Sequence, residues 1–557
     1  LLCSREGSAV ALQARAARAS LVFMSKSIET IALERRVDAL FARYTLPGSP
    51  GAVVGVMRHG AVEICKGYGL ASIELGVPIT PRTRFRIASV SKQFTVTAAL
   101  MLAEEGRLGL SDPPHKYLPE LPPLPVTIDQ MMRNTSGLPD FLELLRLGGH
   151  GLDKPARADD LFAACVRNRH LNFAPGSRFL YSNSNFLLLG RIIEKLARRK
   201  LGEVLAERIF TPLGMTNTRL AAEIDTVIPG LATAYLGDAN QGFRRAAHAY
   251  PQGGEGGLTS TVEDLLIWSR HFDAPMLGKH LPVQLAAAQP LAGGHGNAYR
   301  RGVAVGEVRG LETVGHGGLW PGFRTEFLRV PAAGLTVVVI ANLGTIDPWR
   351  LAHKIAAEAL AGDERLTPAP VPIEEKEIKP LAGTWFNAEE PSLFELAWRN
   401  GEPTVTQNGL PFALGRRPDG WLGAERGSFE FMLKPGRNGT LRVDLGAGRI
   451  LTFRELGRRK AVPAAIAGTY ASADTGATWR IERQDGTFAA HVSGPLIAGG
   501  APWPISGIDA DTVEIATPGN WLAVTQLARL ERDRSGKVTA LVVSTGRIKN
   551  MRFERLE

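Results

Sequence analysis

A handful of residues in this chain are of the types that make a nucleophile and handle its proton. Ser89 and Lys92 stand in Ser89-Val90-Ser91-Lys92, directly before Gln93 to Glu105, a stretch without Pro or Gly that is rich in Ala, Leu and Met. That composition predicts a helix buried almost all round, with Ser89 at its N-terminus and Lys92 one turn later on the same face. A serine hydroxyl is a poor nucleophile at neutral pH, so a partly buried lysine or another basic group must take its proton. The helix dipole and the Ser89 amide then favour the oxyanion that attack creates. The bland alternative is a capping serine with an exposed lysine. An apolar helix, however, offers a charged lysine little reason to be there.

Two further pieces complete the set. Tyr181-Ser182-Asn183 follows Pro175-Gly176-Ser177 and precedes a helical pattern, which predicts a phenol and a carboxamide on a loop. Tyr181 can accept or share the serine proton if a nearby cation depresses its pKa, and Asn183 can bind a substrate carbonyl. His316-Gly317-Gly318 stands before a predicted hairpin, where two glycines let a substrate backbone approach a strand, and Leu319 would offer its N-H as a second oxyanion donor. Read singly, the first piece is also a turn tyrosine and the second an ordinary turn.

Helices predicted over Gln93–Glu105, Ser184–Arg199 and Val262–Phe272, with hairpins over Gly51–Ile64 and over Thr325–Val330 with Leu335–Ala341, indicate an α+β domain with an antiparallel sheet. The expected boundaries are a leader without fixed structure over 1–30, with Met24 a candidate start, a first domain over 31–365 and a Pro-rich linker over 366–380. Beyond it helical patterns nearly vanish. Leu381-Ala382-Gly383-Thr384-Trp385 is echoed by Ile466-Ala467-Gly468-Thr469-Tyr470, and Leu451-Thr452-Phe453-Arg454-Glu455-Leu456 by Met551-Arg552-Phe553-Glu554-Arg555-Leu556. Two small antiparallel β-barrels over 381–459 and 463–557 are therefore predicted.

At 557 residues the chain exceeds one ordinary core, and 44 % hydrophobic with 22 % charged residues is a globular composition. Its net charge of +10 is spread without a basic block, so no nucleic-acid partner is expected. The strongest apolar run, Leu335 to Leu343, falls short of the roughly 20 residues that cross a bilayer. Cys3, Cys65 and Cys165 are widely spaced and odd in number, and the histidines lack ligand spacing, so neither a disulfide framework nor a metal is expected, and no cofactor is implied. The first 23 residues carry Arg5, Arg15 and Arg18 without a signal-peptide pattern, so a cytoplasmic location is expected.

Taken in order, Ser-x-x-Lys, Tyr-x-Asn and His-x-Gly resemble the three motifs of the serine β-lactamase and penicillin-binding superfamily, in the branch of class C enzymes, DD-carboxypeptidases, esterases and D-aminopeptidases. Asn134-Thr135-Ser136-Gly137-Leu138, Pro212-Leu213-Gly214-Met215 and Gly256-Gly257-Leu258-Thr259-Ser260-Thr261 are similar to segments of that branch. With two β units behind the first domain, the chain resembles the three-domain D-aminopeptidases.

That resemblance implies a β-lactamase-like catalytic domain. It implies Ser89 as nucleophile, Lys92 and Tyr181 as the proton-handling pair, His316 polarising Tyr181, and Asn183, Gly318 and Leu319 as substrate contacts. It also implies release of N-terminal D-residues from small peptides, amides or esters, with a loop of the last barrel, about Gly494 to Pro504, closing the site and Trp503 walling a pocket. That loop carries no acid to meet a substrate ammonium. Asp140, Glu255 or backbone carbonyls would have to supply the charge, or a free amine is not demanded, and relaxed selectivity is the expectation. Related esterase, amidase or DD-peptidase activity and a non-catalytic peptide-binding role are the alternatives. A homodimer is left open.

Overall fold

The computed structural model describes residues 22–23, 27–407, 409–417, 419–424, 431–445, 449–518 and 524–556. Cys3, the leader arginines and Met24 lie outside them.

Part of the supposed leader is structured. Val22–Phe23 (β1) pairs in parallel with the start of Ala61–Tyr68 (β3). Helix α1 begins at Ile28 and runs to Phe41, with the Ser27 hydroxyl accepting from the Thr30 N-H as its cap.

The first half is built on a seven-stranded sheet. With β2 at Ala52–Arg58, β4 at Ala304–Val308, β5 at Leu311–Trp320, β6 at Phe323–Val330 and β7 at Leu335–Ala341, its order is β1-β3-β2-β7-β6-β5-β4. The turn joining β2 to β3 holds His59 at φ 46° and Gly60 at φ 80°, the left-handed pair that a tight hairpin needs. Strand β7 shows why the apolar run is unbroken from Val337 to Ala341. Val338 and Ile340 pack into the core beneath the helices, while Val337 and Val339 pack into a second core on the other face. A central strand covered on both sides takes apolar residues on both faces.

That second core is closed by α1 and by α5, Pro348–Ala359. On the first face lie α2, Lys92–Glu104, α3, Asn183–Ala197, and α4, Val262–Asp273. Every residue of α2 from Lys92 to Leu102 is buried. Phe94 stacks 4.4 Å from Trp268 of α4, whose indole N-H donates to the Gln93 carboxamide at 2.7 Å. The indole N-H and the Gln93 carboxamide oxygen thus satisfy each other inside the core.

Two closed eight-stranded antiparallel barrels follow, from Gly383–Asn387 to Ile450–Glu455 and from Gly468–Ser472 to Met551–Arg555. The sequence echoes are the opening and closing strands of each barrel: Trp385 pairs with Glu455, and Tyr470 with Arg555. Within the stretch expected as linker, a short helix at Glu375–Ile378 drops Ile378 into the first barrel's core. The last barrel packs on the first half: Leu144 and Leu147 join its core, and the Trp479 N-H donates to the Leu147 carbonyl at 2.8 Å. Among the described residues no helix is long and apolar enough to cross a membrane, and no group of acidic, His and Cys residues could hold a metal ion.

Candidate active site

Ser89 sits one turn earlier than expected, in a tight 3-10 turn at Ala88–Ser91 that leads into α2. Ala88, at φ 49°, is the left-handed residue that bends the chain there, the kind of strained position often found beside reacting groups. Gly318 on β5 lies against this turn, where a Cβ would collide with the Ile87 carbonyl. Only glycine lets the strand edge come so close. Strand β4 pairs with β5 only as far as Gly315, so β5 is open to a substrate on that side from His316 to Leu319. A cavity of about 280 Å³ is lined by Ser89, Tyr181, Asn183, Glu255, His316 to Leu319 and Arg547.

Lys92 is fully buried, and its Nζ lies 3.0 Å from Ser89 Oγ, 2.8 Å from Asn183 Oδ1 and 2.6 Å from the Glu255 carbonyl oxygen. Burial lowers its pKa, Glu255 opposes this and Arg547 adds to it, leaving the ammonium well below the ordinary lysine range. As a neutral amine it would have two hydrogens for Asn183 and Glu255 and a lone pair for the serine hydroxyl. Both ends of the Asn183 carboxamide are engaged, since its Nδ2 donates to Asp140 Oδ2 at 2.9 Å. Asn183 therefore orients Lys92 from the cavity wall, a role the expected carbonyl contact did not foresee.

Tyr181 is buried beside them. Burial raises its pKa, against a hydrogen bond with Ser89 and the charge of Arg547. The phenol thus stays protonated at neutral pH, so the depressed pKa on which its proton-accepting role was conditional is not met. The His316 ring lies 6.0 Å from that of Tyr181. The His316 Nδ1 donates to its neighbour Gly317's carbonyl at 2.6 Å, and Nε2 accepts from the Tyr299 hydroxyl at 3.0 Å. Burial and the Lys92 charge lower its pKa to about 3, so it is neutral.

A second cation next to Tyr181 comes from the last barrel. The Arg547 guanidinium stands 5.0 Å from the Tyr181 ring centre and pairs with the fully buried Asp140 at 3.1 Å. Asp140 also caps a short helix at Leu142 N and accepts from Asn183 N, at 2.9 Å each. It is committed to the fold and has no capacity left for a substrate ammonium. The Arg547 turn is fastened by Glu143, which accepts from the Arg547 N-H at 2.8 Å and from the Thr545 hydroxyl. Arg547 was not legible in the sequence, because the contact spans 407 positions and the residue stands in an ordinary hairpin turn.

The loop Gly494 to Pro504 does not close this cavity. Gly494 and Ile497 pack on Gly148 and Gly149, and Trp503 lies in the barrel core against Trp479. Among the described residues the last barrel reaches the cavity through Val524, Gly546 and Arg547. Cys165 is buried and Cys65 half-buried, both as free thiols raised to about 12 by burial.

Comparison with known proteins identifies the family. The chain is 32 % identical over 317 residues to a D-aminopeptidase of Gluconobacter oxydans (strain 621H), a match spanning 56 % of this chain and only 58 % of that relative's length. A D-aminopeptidase of Brucella melitensis biotype 2 is 26 % identical over 548 residues, covering 95 % of this chain and all of that one. Among solved structures, the octameric penicillin-binding protein homologue from Pyrococcus abyssi superposes with a TM-score of 0.54 at 19 % identity, over 94 % of this chain and 98 % of that one. The beta-lactamase family model matches residues 37–361, more than half of the chain, and this protein belongs to the beta-lactamase family.

Proposed function

We propose that the protein is a serine hydrolase that acts through an acyl-enzyme and releases N-terminal D-amino acids from small peptides, amides or esters. The single observation that carries the mechanism is the 3.0 Å contact between Ser89 Oγ and the Nζ of a fully buried lysine. A lysine so placed is poised to give up its proton and take one from serine.

In this reading Lys92, as the amine, accepts the Ser89 proton while Oγ attacks the substrate carbonyl. The oxyanion is held by the N-H groups of Ser89 and Leu319. Collapse breaks the bond to the leaving amine or alkoxide, which takes a proton from Tyr181, and Lys92 restores the phenol. Water then attacks the ester on Ser89 by the reverse sequence, giving the free acid and the serine. Asn183 and Asp140 orient Lys92, and Arg547 sets the local charge. The D-specificity rests on similarity to proteins called D-aminopeptidases, one of them along its whole length.

The test compares initial rates on D-alanine and L-alanine p-nitroanilides for the wild type and Ser89→Ala. Turnover of the D-substrate alone, lost in the variant, supports the reading. Equal rates on both enantiomers, or survival of activity without Ser89, overturns it.

A further inference from the structure

One acid near the cavity has no work in the fold. Glu326 on β6 is 4 % exposed, and burial together with nearby Asp347 pushes its carboxyl well above the usual range, with no hydrogen bond pulling it down. It pairs in register with Gly317 of β5. Its Oε2 would stand 3.0 Å from a Cβ at that position, so the carboxyl lies across the place where any other residue would carry a side chain. The cavity that begins at Ser89 continues round this open strand edge. Glu326 and Trp349 line both it and an adjoining cavity of about 350 Å³ beneath the first barrel.

The charged and titratable neighbours leave the carboxyl unmatched. Asp347 adds a second negative charge. His353, stacked 3.8 Å from Trp349, is lowered to about 4 by burial and so is neutral. Arg324 donates to the carbonyls of Trp320 and Phe323 at 3.1 and 2.9 Å. Arg417, from the first barrel, lines the adjoining cavity and its charge bears on His353, while Glu326 receives no lowering influence from it. A buried carboxyl without a partner is costly to ionise and becomes favourable as a carboxylate when a cation enters beside it. The Trp349 ring at the same wall suits a cation as well.

Resting on the hydrolase reading above, we propose that Glu326 is a specificity-determining residue that receives a substrate ammonium at the open edge of β5. This reverses the expectation of relaxed selectivity, which considered Asp140 and Glu255 but not an acid on the neighbouring strand. The ammonium has two possible sources, the α-amine of the acyl residue or an amine on the leaving group.

The test uses the full chain, as wild type, Glu326→Gln and Glu326→Asp, on two matched substrate pairs. The first pair is D-alanine and N-acetyl-D-alanine p-nitroanilides. The second is the 4-aminobutyl and butyl amides of D-alanine. What is read is the ratio of kcat/KM for the more charged over the less charged member, which cancels any general loss of active enzyme.

A fall of at least tenfold in Glu326→Gln, largely retained preference in Glu326→Asp, and confinement to the first pair assign Glu326 to the acyl amine. The same result in the second pair assigns it to the leaving group. Ratios within twofold of the wild type in both pairs overturn the proposal, as does Asp behaving like Gln. Ser89→Ala, run alongside, reports separately on the hydrolase reading. If it turns over like the wild type, that reading falls, and the same ratios are taken from calorimetric binding of the four amides.

Discussion

Replacing Arg547 with methionine removes one positive charge beside Lys92 while keeping an unbranched side chain. Lys92 Nζ and the Arg547 guanidinium lie 4.9 and 5.0 Å from the centre of the Tyr181 ring, so less than about 10 Å separates the two cations. At that distance and an effective dielectric of about 20, their repulsion is about 1.7 kcal/mol, or just over one pH unit. The sign follows from the base being the neutral amine. Arg547 disfavours the ammonium and lowers the Lys92 pKa, so its removal raises that pKa. The acid limb of kcat/KM should then move about one unit to higher pH, with up to about a tenfold loss below the limb.

Arg547→Lys keeps the charge and should shift the limb by only a few tenths of a unit. The assay is kcat/KM against pH on D-alanine p-nitroanilide, with thermal melting to follow the Asp140 pair. If Arg547→Met loses activity with its acid limb unmoved, the charge argument is refuted and Arg547 merely fastens the barrel.

Lys92→Met and Tyr181→Phe should each lower kcat on the order of 10²-fold, with the double variant far from multiplicative because both serve one proton transfer. Gly318→Ala should push β5 off the nucleophile turn at a cost of about 1–3 kcal/mol, read as a fall in kcat/KM with the melting temperature less affected. His316→Ala leaves the Tyr299 hydroxyl without its acceptor and should cost about 1–3 kcal/mol of stability, visible in urea unfolding. A moved acid limb in that variant would show that His316 titrates after all. Excising Gly494 to Pro504 should destabilise the last barrel, since Trp503 is part of its core, and a stable protein that accepts bulkier substrates would contradict this packing.

The sequence carried the parts of this account that depend on neighbours along the chain. Ser89 and Lys92 lie three positions apart at the start of an apolar helix, so their contact is nearly a consequence of helical geometry. The barrels announced themselves because their opening and closing strands recur. What stayed hidden depends on tertiary packing. Burial keeps the His316 imidazole neutral and the Tyr181 phenol protonated, a property no local pattern reveals. Arg547 reaches the site from a hairpin turn of the last barrel, and Glu326 reads as one residue of an ordinary strand until Gly317 is placed opposite it. The loop at Gly494 was credited with closing the site by resemblance alone, yet Gly494 and Ile497 serve the interface with Gly148 and Gly149.

The central claim is that Ser89 becomes acylated during turnover. Acid-quenching the wild type during hydrolysis of D-alanine p-nitroanilide, followed by intact mass measurement and peptide mapping, tests it directly. The account predicts a D-alanyl adduct on the peptide containing Ser89, absent from Ser89→Ala and enriched in Tyr181→Phe if deacylation slows more than acylation. An adduct on another residue, or undiminished turnover in Ser89→Ala, would contradict it.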